Sequence, residues 1–169
     1  MWFIADMDRT ADPEASLQMV ELVHQSREKA GIIGVGMDSK EAAHPASRHQ
    51  VAFKQVKELG FRLVAHAGAE SIWDTLSMGV ERIDRGMRSI ENDRLLQRLV
   101  EMQIPLTVCP VSNIQLKIFP NMLAHPVKQL IDARVFVTIN SDDLPMFHAD
   151  FVNNYLLVAD TFNLTADEV

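Results

Sequence analysis

The sequence has little cysteine, no long apolar segment and no excess of positive charge. Cys109 is the single cysteine of the 169 residues, which excludes an internal disulfide and favours a reducing compartment. No apolar run reaches the roughly 18 residues that a membrane-spanning helix needs. Met1–Ala5 is apolar, but Asp6 and Asp8 follow at once, unlike a signal peptide. We therefore expect a cytoplasmic protein without a membrane partner.

The overall composition indicates a folded protein that does not bind nucleic acid. The formal net charge is −7, and the acidic residues are scattered along the chain. A surface that binds a phosphate backbone needs a basic stripe, which this chain does not offer. Hydrophobic residues make up 47% and charged residues 23% of the chain, which is enough apolar material for a core. A length of 169 residues fits one domain.

The stretch 135–143, VFVTINSDD, is the most informative part of the chain. Its first five residues, Val135–Ile139, are β-branched or aromatic and uncharged, which is typical of a strand buried on both faces. Asp142 and Asp143 follow this strand. A Ser or Asp at such a point can simply cap the next helix. Two adjacent carboxylates at the carboxyl end of a buried strand cost free energy unless a cation lies near them, so we favour a metal or substrate role.

The rest of the chain alternates between short apolar runs and helical patterns. This alternation predicts βαβ units and a parallel sheet. Right-handed crossovers would then place the carboxyl ends of all strands at one edge. About six helices are expected between the strands, and the six predicted strands are Trp2–Ala5, Gly31–Met37, Phe61–Ala65, Val80–Ile83, Ile104–Val108 and Val135–Ile139.

Polar residues follow several of these strands and are expected to converge at that edge. They are His66, Asp84–Arg85, Cys109–Asn113 and Asp142–Asp143. A single histidine after a strand is more often a structural residue. His66 together with Asp142, however, is the imidazole and carboxylate pair that binds a catalytic zinc ion.

The histidines outside this edge are expected to be structural or exposed. His24 and His49 fall in helical patterns among polar residues, which predicts surface positions.

Four motifs resemble the adenosine/adenine deaminase family in their order and spacing. They are VAHAG at 64–68, ERIDRG at 81–86, TVCPVSN at 107–113 and NSDD at 140–143. The RID form of the second motif is similar to the adenine deaminase branch in particular.

The resemblance implies a fold and an activity. The fold is a (β/α)8 TIM barrel of the α/β class. Here it would be an incomplete barrel of about six βα units, lacking the first two strands, in one domain over 1–169. The activity is zinc-dependent hydrolysis of the exocyclic amine of a purine in purine salvage. It converts adenine to hypoxanthine, or adenosine to inosine, and releases ammonia. One Zn²⁺ per site is implied.

The resemblance also assigns roles to four residues. His66 and Asp142 match metal ligands, and Asp143 matches the carboxylate that holds a purine ring nitrogen. Glu70 lies one position from the family's proton-donating glutamate. It either replaces that catalytic residue or is a surface residue beside the next helix.

Two departures from the family pattern bear on activity. None of the six histidines forms the His-x-His pair that supplies the other two metal ligands. Arg85 stands where the family has its general-base histidine, and an arginine stays protonated and cannot accept a proton from water. The chain alone is therefore expected to be impaired or inactive. The alternative is a non-catalytic family remnant or association module that self-associates through open sheet edges.

Overall fold

A computed structural model describes residues 1–68, 71–165 and 168. The chain divides into two compact units, Met1–Gly86 and Met87–Val169. The expectation of one domain over the whole chain stays a prediction. Strands and helices alternate within both units, which confirms the predicted parallel α/β class.

The first unit contains four parallel strands that pair in chain order. Their bounds are β1 Phe3–Asp8, β2 Ile32–Asp38, β3 Arg62–Ala67 and β4 Arg82–Arg85. The register pairs Asp6 with Gly36 and His66 with Asp84. The carboxyl ends of the four strands therefore share one edge, as predicted.

The helices of the first unit are α1 Pro13–Ala30, α2 Gln50–Glu58 and α3 Ile72–Ser77, and a 3-10 turn at Ala46–His49 leads into α2. At the start of α1, the Asp12 carboxylate accepts a hydrogen bond from the N–H of Glu14, and Pro13 occupies the first turn. Gly31 ends the helix with φ +67°, a conformation that glycine adopts without strain.

His49 is buried, so the expectation of a surface position was wrong. It is 1% exposed and packs where α1 crosses the start of α2. Its Nε2–H donates to the carbonyl of Arg9 at 3.1 Å, and its Nδ1 accepts from the hydroxyl of Ser16 at 2.8 Å. Both ring nitrogens are satisfied, which makes burial of this polar ring tolerable. His24 is exposed, as expected.

The second unit contains two parallel strands, β5 Leu106–Val108 and β6 Val137–Ile139. Helices of four to twelve residues surround them, and 3-10 turns lie at Met87–Glu91 and Met122–Ala124. The helices are α4 Asp93–Met102, α5 Pro110–Gln115, α6 Val127–Asp132, α7 Leu144–Phe147 and α8 Phe151–Phe162. Two of them, α5 and α7, were not predicted from the sequence.

Strand β6 is shorter and more exposed than the VFVTI run suggested. The side chain of Phe136 is 53% exposed, and Val137 is half-buried. Burial on both faces was therefore a wrong expectation for this strand. Among the described strands, β6 pairs only with β5, so its other edge lacks the neighbour that would bury it.

No helix in the described ranges is long and apolar enough to cross a membrane.

Candidate active site

His66 lies near the carboxyl end of β3, with Asp84 of β4 as its register partner. The ring Nδ1 is 3.5 Å from Oδ1 of Asp38, the last residue of β2. That nitrogen is buried, and in the described part of the chain it has no hydrogen-bond partner. A buried imidazole nitrogen without a partner is costly for a purely structural residue, and it is available to a metal ion.

Strand β4 extends two residues further than the sequence predicted, so Asp84 and Arg85 belong to the strand instead of following it. The Arg82 guanidinium donates two hydrogen bonds to the Asp84 carboxylate, at 2.8 Å and 3.0 Å. Arg85 has φ +75°, and its exposed side chain stands at the end of the strand. Asp84 is thus neutralised by a fixed cation two residues away.

Asp6 is a further acidic residue at this edge, which the sequence analysis did not assign. Burial raises the pKa of its carboxyl group, and Asp38 and Asp84 raise it further. His66 and Arg82 act in the opposite direction. The signal for it was present in the sequence, since an acid between the apolar residues Ala5 and Met7 of a strand usually faces other polar groups.

Glycine at position 36 makes room for the Asp6 carboxylate. A Cβ on Gly36 would lie 1.9 Å from Oδ1 of Asp6 and 2.8 Å from Cγ2 of Val64. Any side chain at this position would displace the Asp6 carboxylate or the Val64 side chain.

Arg9 is a second residue that sequence reasoning missed. It follows β1, its side chain is fully buried, and its Nη2 donates to the backbone carbonyl of His66. Burial lowers the pKa of its guanidinium, while Glu41 and Asp38 oppose that shift. A buried cation bonded to the backbone of β3 fixes the position of His66 relative to the end of β1.

Glu41 connects two residues that follow β3. Its carboxylate accepts hydrogen bonds from the N–H of Gly68 at 2.8 Å and from the hydroxyl of Ser71 at 2.7 Å. These charge-assisted bonds fix the positions of Gly68 and Ser71. Glu70, the candidate catalytic acid, lies outside the described residues.

In the second unit, Asp142 and Asp143 follow β6 and make different contacts. Asp142 accepts a hydrogen bond from the Ser112 hydroxyl through Oδ2 and one from the N–H of Asp143, at 2.9 Å, through Oδ1. Asp143 caps α7, because its Oδ1 accepts from the N–H of Met146 at 3.0 Å. Capping is the simpler role that the sequence left open for such a residue, and a capping carboxylate still has a second oxygen for a ligand.

His125 supports helix α5, which carries Ser112 and Asn113. Its Nδ1 accepts from the N–H of Val127 at 3.1 Å, and its Nε2–H donates to Oδ1 of Asn113 at 3.0 Å. Burial lowers the pKa of His125 to about 4. The ring is therefore neutral at physiological pH, and this tautomer is fixed by both bonds.

The donor types in these units fit zinc, but the described residues do not form a complete centre. His66 lies in one unit and Asp142 in the other. In the ranges that the structure describes, no group of three or more histidine, cysteine, aspartate or glutamate side chains is placed to hold a metal. A catalytic zinc takes three or more protein ligands, so further ligands are needed.

Comparison with known proteins gives a consistent family. The family model for adenosine deaminase matches residues 1–169. Adenine deaminase from Psychrobacter cryohalolentis is 44% identical over 147 residues, which cover 83% of this chain and 44% of the relative. Adenine deaminase from Paraburkholderia phytofirmans is 40% identical over 172 residues, covering 98% of this chain and 47% of the relative. The chain thus spans less than half the length of these relatives.

Solved structures support the fold. The crystal structure of adenine deaminase from Arthrobacter aurescens is 31% identical, with a TM-score of 0.91 over 99% of this chain and 52% of that protein. A zinc-bound amidohydrolase from Burkholderia ambifaria is 23% identical, with a TM-score of 0.88. The superposition covers 99% of this chain and 48% of that protein. The predicted fold, an incomplete barrel of the TIM-barrel type, is confirmed.

Proposed function

The chain belongs to the adenosine deaminase family, and from this premise we propose that it forms part of a zinc-dependent adenine deaminase. The reaction would hydrolyse the exocyclic amine of adenine, giving hypoxanthine and ammonia for purine salvage. The identity of 44% to a curated adenine deaminase supports adenine over adenosine as the substrate. The single cysteine supports a cytoplasmic location.

The observation that carries this proposal is the buried Nδ1 of His66, which has no hydrogen-bond partner among the described residues. Arg9 bonds to the backbone carbonyl of this histidine, and Oδ1 of Asp38 lies 3.5 Å from the same Nδ1, an ion-pair distance at which no hydrogen bond is made. A positioned ring whose nitrogen makes no hydrogen bond suits a metal ligand.

Asp142 is the proposed second ligand that this chain supplies. Ser112 and the N–H of Asp143 each bind one of its oxygens, which orients the carboxylate and leaves lone pairs on both oxygens. When bound, zinc would lower the pKa of a coordinated water toward about 7 and so supply hydroxide at neutral pH.

Asp143 is the proposed purine-binding residue and Glu70 the proposed proton donor. The carboxylate of Asp143 accepts one bond from the α7 backbone and keeps its other oxygen for a protonated ring nitrogen. A carboxylic acid at Glu70 would protonate the purine ring as its carbon becomes tetrahedral.

Arg85 is the strongest reason to expect impaired activity. It is exposed at the end of β4, in the position where the family has a histidine base. A guanidinium holds its proton throughout the usable pH range, so it cannot deprotonate water.

The test is to restore what the chain lacks. We expect that adding an N-terminal segment with the family's His-x-His strand and making Arg85→His gives zinc-dependent loss of adenine absorbance with release of ammonia. His66→Ala in the same protein should abolish both zinc binding and turnover. Adenosine offered in place of adenine separates the two substrates. A zinc-loaded, folded protein without turnover on either purine would rule the proposal out.

A further inference from the structure

The start of α5 is held by a side chain from α8. The N–H groups in the first turn of a helix have no partner within that helix. The N–H of Val111 lies in this first turn and donates to Oδ1 of Asn154 at 3.1 Å. Asn154 belongs to α8 and lies 43 residues further along the chain. Helix α8 therefore satisfies a donor that α5 cannot satisfy by itself.

The amide of Asn154 has a single defined orientation. The side chain is fully buried, and its Nδ2–H donates to the carbonyl of Asp150 at 3.1 Å. Because an N–H only donates and a carbonyl only accepts, the two contacts fix which end of the amide is the oxygen. One turn later on α8, Val158 packs in an apolar cluster with Ile139, the last residue of β6. The position of Asn154 is thus fixed relative to the strand that precedes Asp142.

Ser112 lies between two residues that are both held in place. Its buried hydroxyl donates to Oδ2 of Asp142. Val111, on one side, is bonded to Asn154, and on the other side Oδ1 of Asn113 accepts from the Nε2–H of buried His125 at 3.0 Å. A hydroxyl moves with the backbone that carries it, so these two bonds set the direction in which Ser112 donates.

We propose that Asn154 is a positioning residue for the Asp142 carboxylate and acts on it through Val111 and Ser112. Without the Asn154 amide, the first turn of α5 is free to shift, and the Ser112 hydroxyl no longer holds Oδ2 of Asp142 in one place. A carboxylate that is already oriented loses less conformational freedom when it binds a metal ion. The inference rests on the proposed function, in which Asp142 is a metal ligand.

A purely structural role for Asn154 makes a different prediction. A buried amide that only stabilises the second unit would lower stability when it is replaced, whether or not Ser112 is present. A positioning effect is transmitted through the Ser112 hydroxyl, so it should disappear when that hydroxyl is removed. A double-mutant cycle between the two residues separates these roles.

The experiment measures Co²⁺ binding by the protein extended with an N-terminal segment that carries the family's His-x-His strand. Arg85 is left unchanged, because no turnover is needed. In Asn154→Ser, the hydroxyl still reaches the carbonyl of Asp150, four residues earlier, but is too short to reach Val111. We expect this variant to bind Co²⁺ roughly 10- to 100-fold more weakly, the usual loss for a group that orients a metal ligand. The visible absorption of the bound Co²⁺ should change as well, because it reports the geometry of the ligands.

Three further variants complete the test. In a Ser112→Ala background, Asn154→Ser should change the Co²⁺ affinity by no more than about twofold. Asn92→Ala is the matched control: it removes the cap of α4 in the same unit, so it should lower stability and leave the Co²⁺ affinity unchanged. Asn154→Leu removes both bonds of the amide at similar size and should show the same loss of affinity. It replaces the serine variant if that variant is unfolded by circular dichroism.

The outcomes distinguish this inference from the proposed function. Equal Co²⁺ affinity of the Asn154 variants and the parent protein overturns the inference alone. The same holds if the full loss of affinity persists in the Ser112→Ala background, or if Asn92→Ala causes an equal loss. A parent protein that binds no Co²⁺ overturns the inference and the proposed function together.

Discussion

At the scale of single residues, the acidic edge of the first unit depends on what surrounds each group. Asp6 is accommodated because Gly36 has no side chain, and burial together with the nearby Asp38 and Asp84 raises the pKa of its carboxyl group. Arg9 and His49 are buried but bonded to backbone carbonyls. Among these groups, His49 has a hydrogen-bond partner on each ring nitrogen, whereas Asp6 stays exposed.

Replacing Gly36 by alanine should destabilise the protein. The new Cβ would meet the Asp6 carboxylate and the Val64 side chain, and overpacking of this kind costs about 1–3 kcal/mol. Urea denaturation measures the loss. In an Asp6→Ala background the same substitution should cost less, because one of the two clashes is gone. Equal costs in both backgrounds would show that the two side chains do not interact.

The buried His125 should make stability depend on pH. Its pKa is about 4 in the folded protein and close to 6.5 in the unfolded chain. Between these values the unfolded chain binds a proton that the folded protein does not. Stability is therefore fully present above pH 6.5 and falls as pH drops toward 4, by about 3 kcal/mol in total.

The variant His125→Gln should flatten this part of the stability profile. Chemical denaturation at pH 7 and at pH 4.5 measures the difference, and His24→Gln serves as control because His24 is exposed on α1. The assignment is refuted if the His24 variant alters the profile as much as the His125 variant does.

At the scale of elements, the sequence predicted most helices and strands through their apolar spacing and caps. The prediction failed where the burial of an element depends on its neighbours in the sheet. The VFVTI run is typical of a strand buried on both faces. Such burial also requires a neighbouring strand on each side, which the local sequence pattern does not indicate. The first strand was predicted to end at Ala5, whereas β1 continues to Asp8 and includes Asp6. In a parallel sheet a strand can extend into polar residues if its neighbours supply partners.

A side-chain cap is expected to stabilise the start of α4. The Asn92 side chain accepts a hydrogen bond from the N–H of Leu95 at 3.1 Å. Asn92→Ala should lower the free energy of unfolding by about 1 kcal/mol, whereas Asn92→Asp should be nearly neutral, because aspartate caps equally well. Thermal denaturation of both variants compares them, and an aspartate variant as unstable as the alanine variant would contradict the capping role.

At the scale of the whole molecule, the sequence identified the family and the barrel type because the four motifs keep their order. It also predicted that this chain lacks two of the ligands of a complete zinc site. Sequence could not assign the supports around His66, since Arg9 and Asp38 are far from it along the chain and meet it only through strand pairing. Tertiary contacts of this kind leave no local pattern.

Zinc should therefore stabilise the completed protein and not this chain alone. With His66 and Asp142 as its proposed ligands, the chain alone should show no greater rise in melting temperature with zinc than its His66→Ala variant. With the His-x-His segment added, saturating zinc at 100 times its Kd should contribute about 2.7 kcal/mol. A chelator titration followed by calorimetry checks both. A zinc-induced rise specific to the original chain would mean that it holds further ligands of its own.

Asp142 has a backbone φ of +63°, a left-handed conformation that glycine, asparagine and aspartate adopt most easily. Few amino acids can therefore occupy this position without bending the turn after β6. A lineage that abandoned metal binding would drift there among these three, and of them only aspartate carries a negative charge. A change from aspartate to asparagine or glycine would thus keep the backbone of the turn and remove the charge that a cation needs.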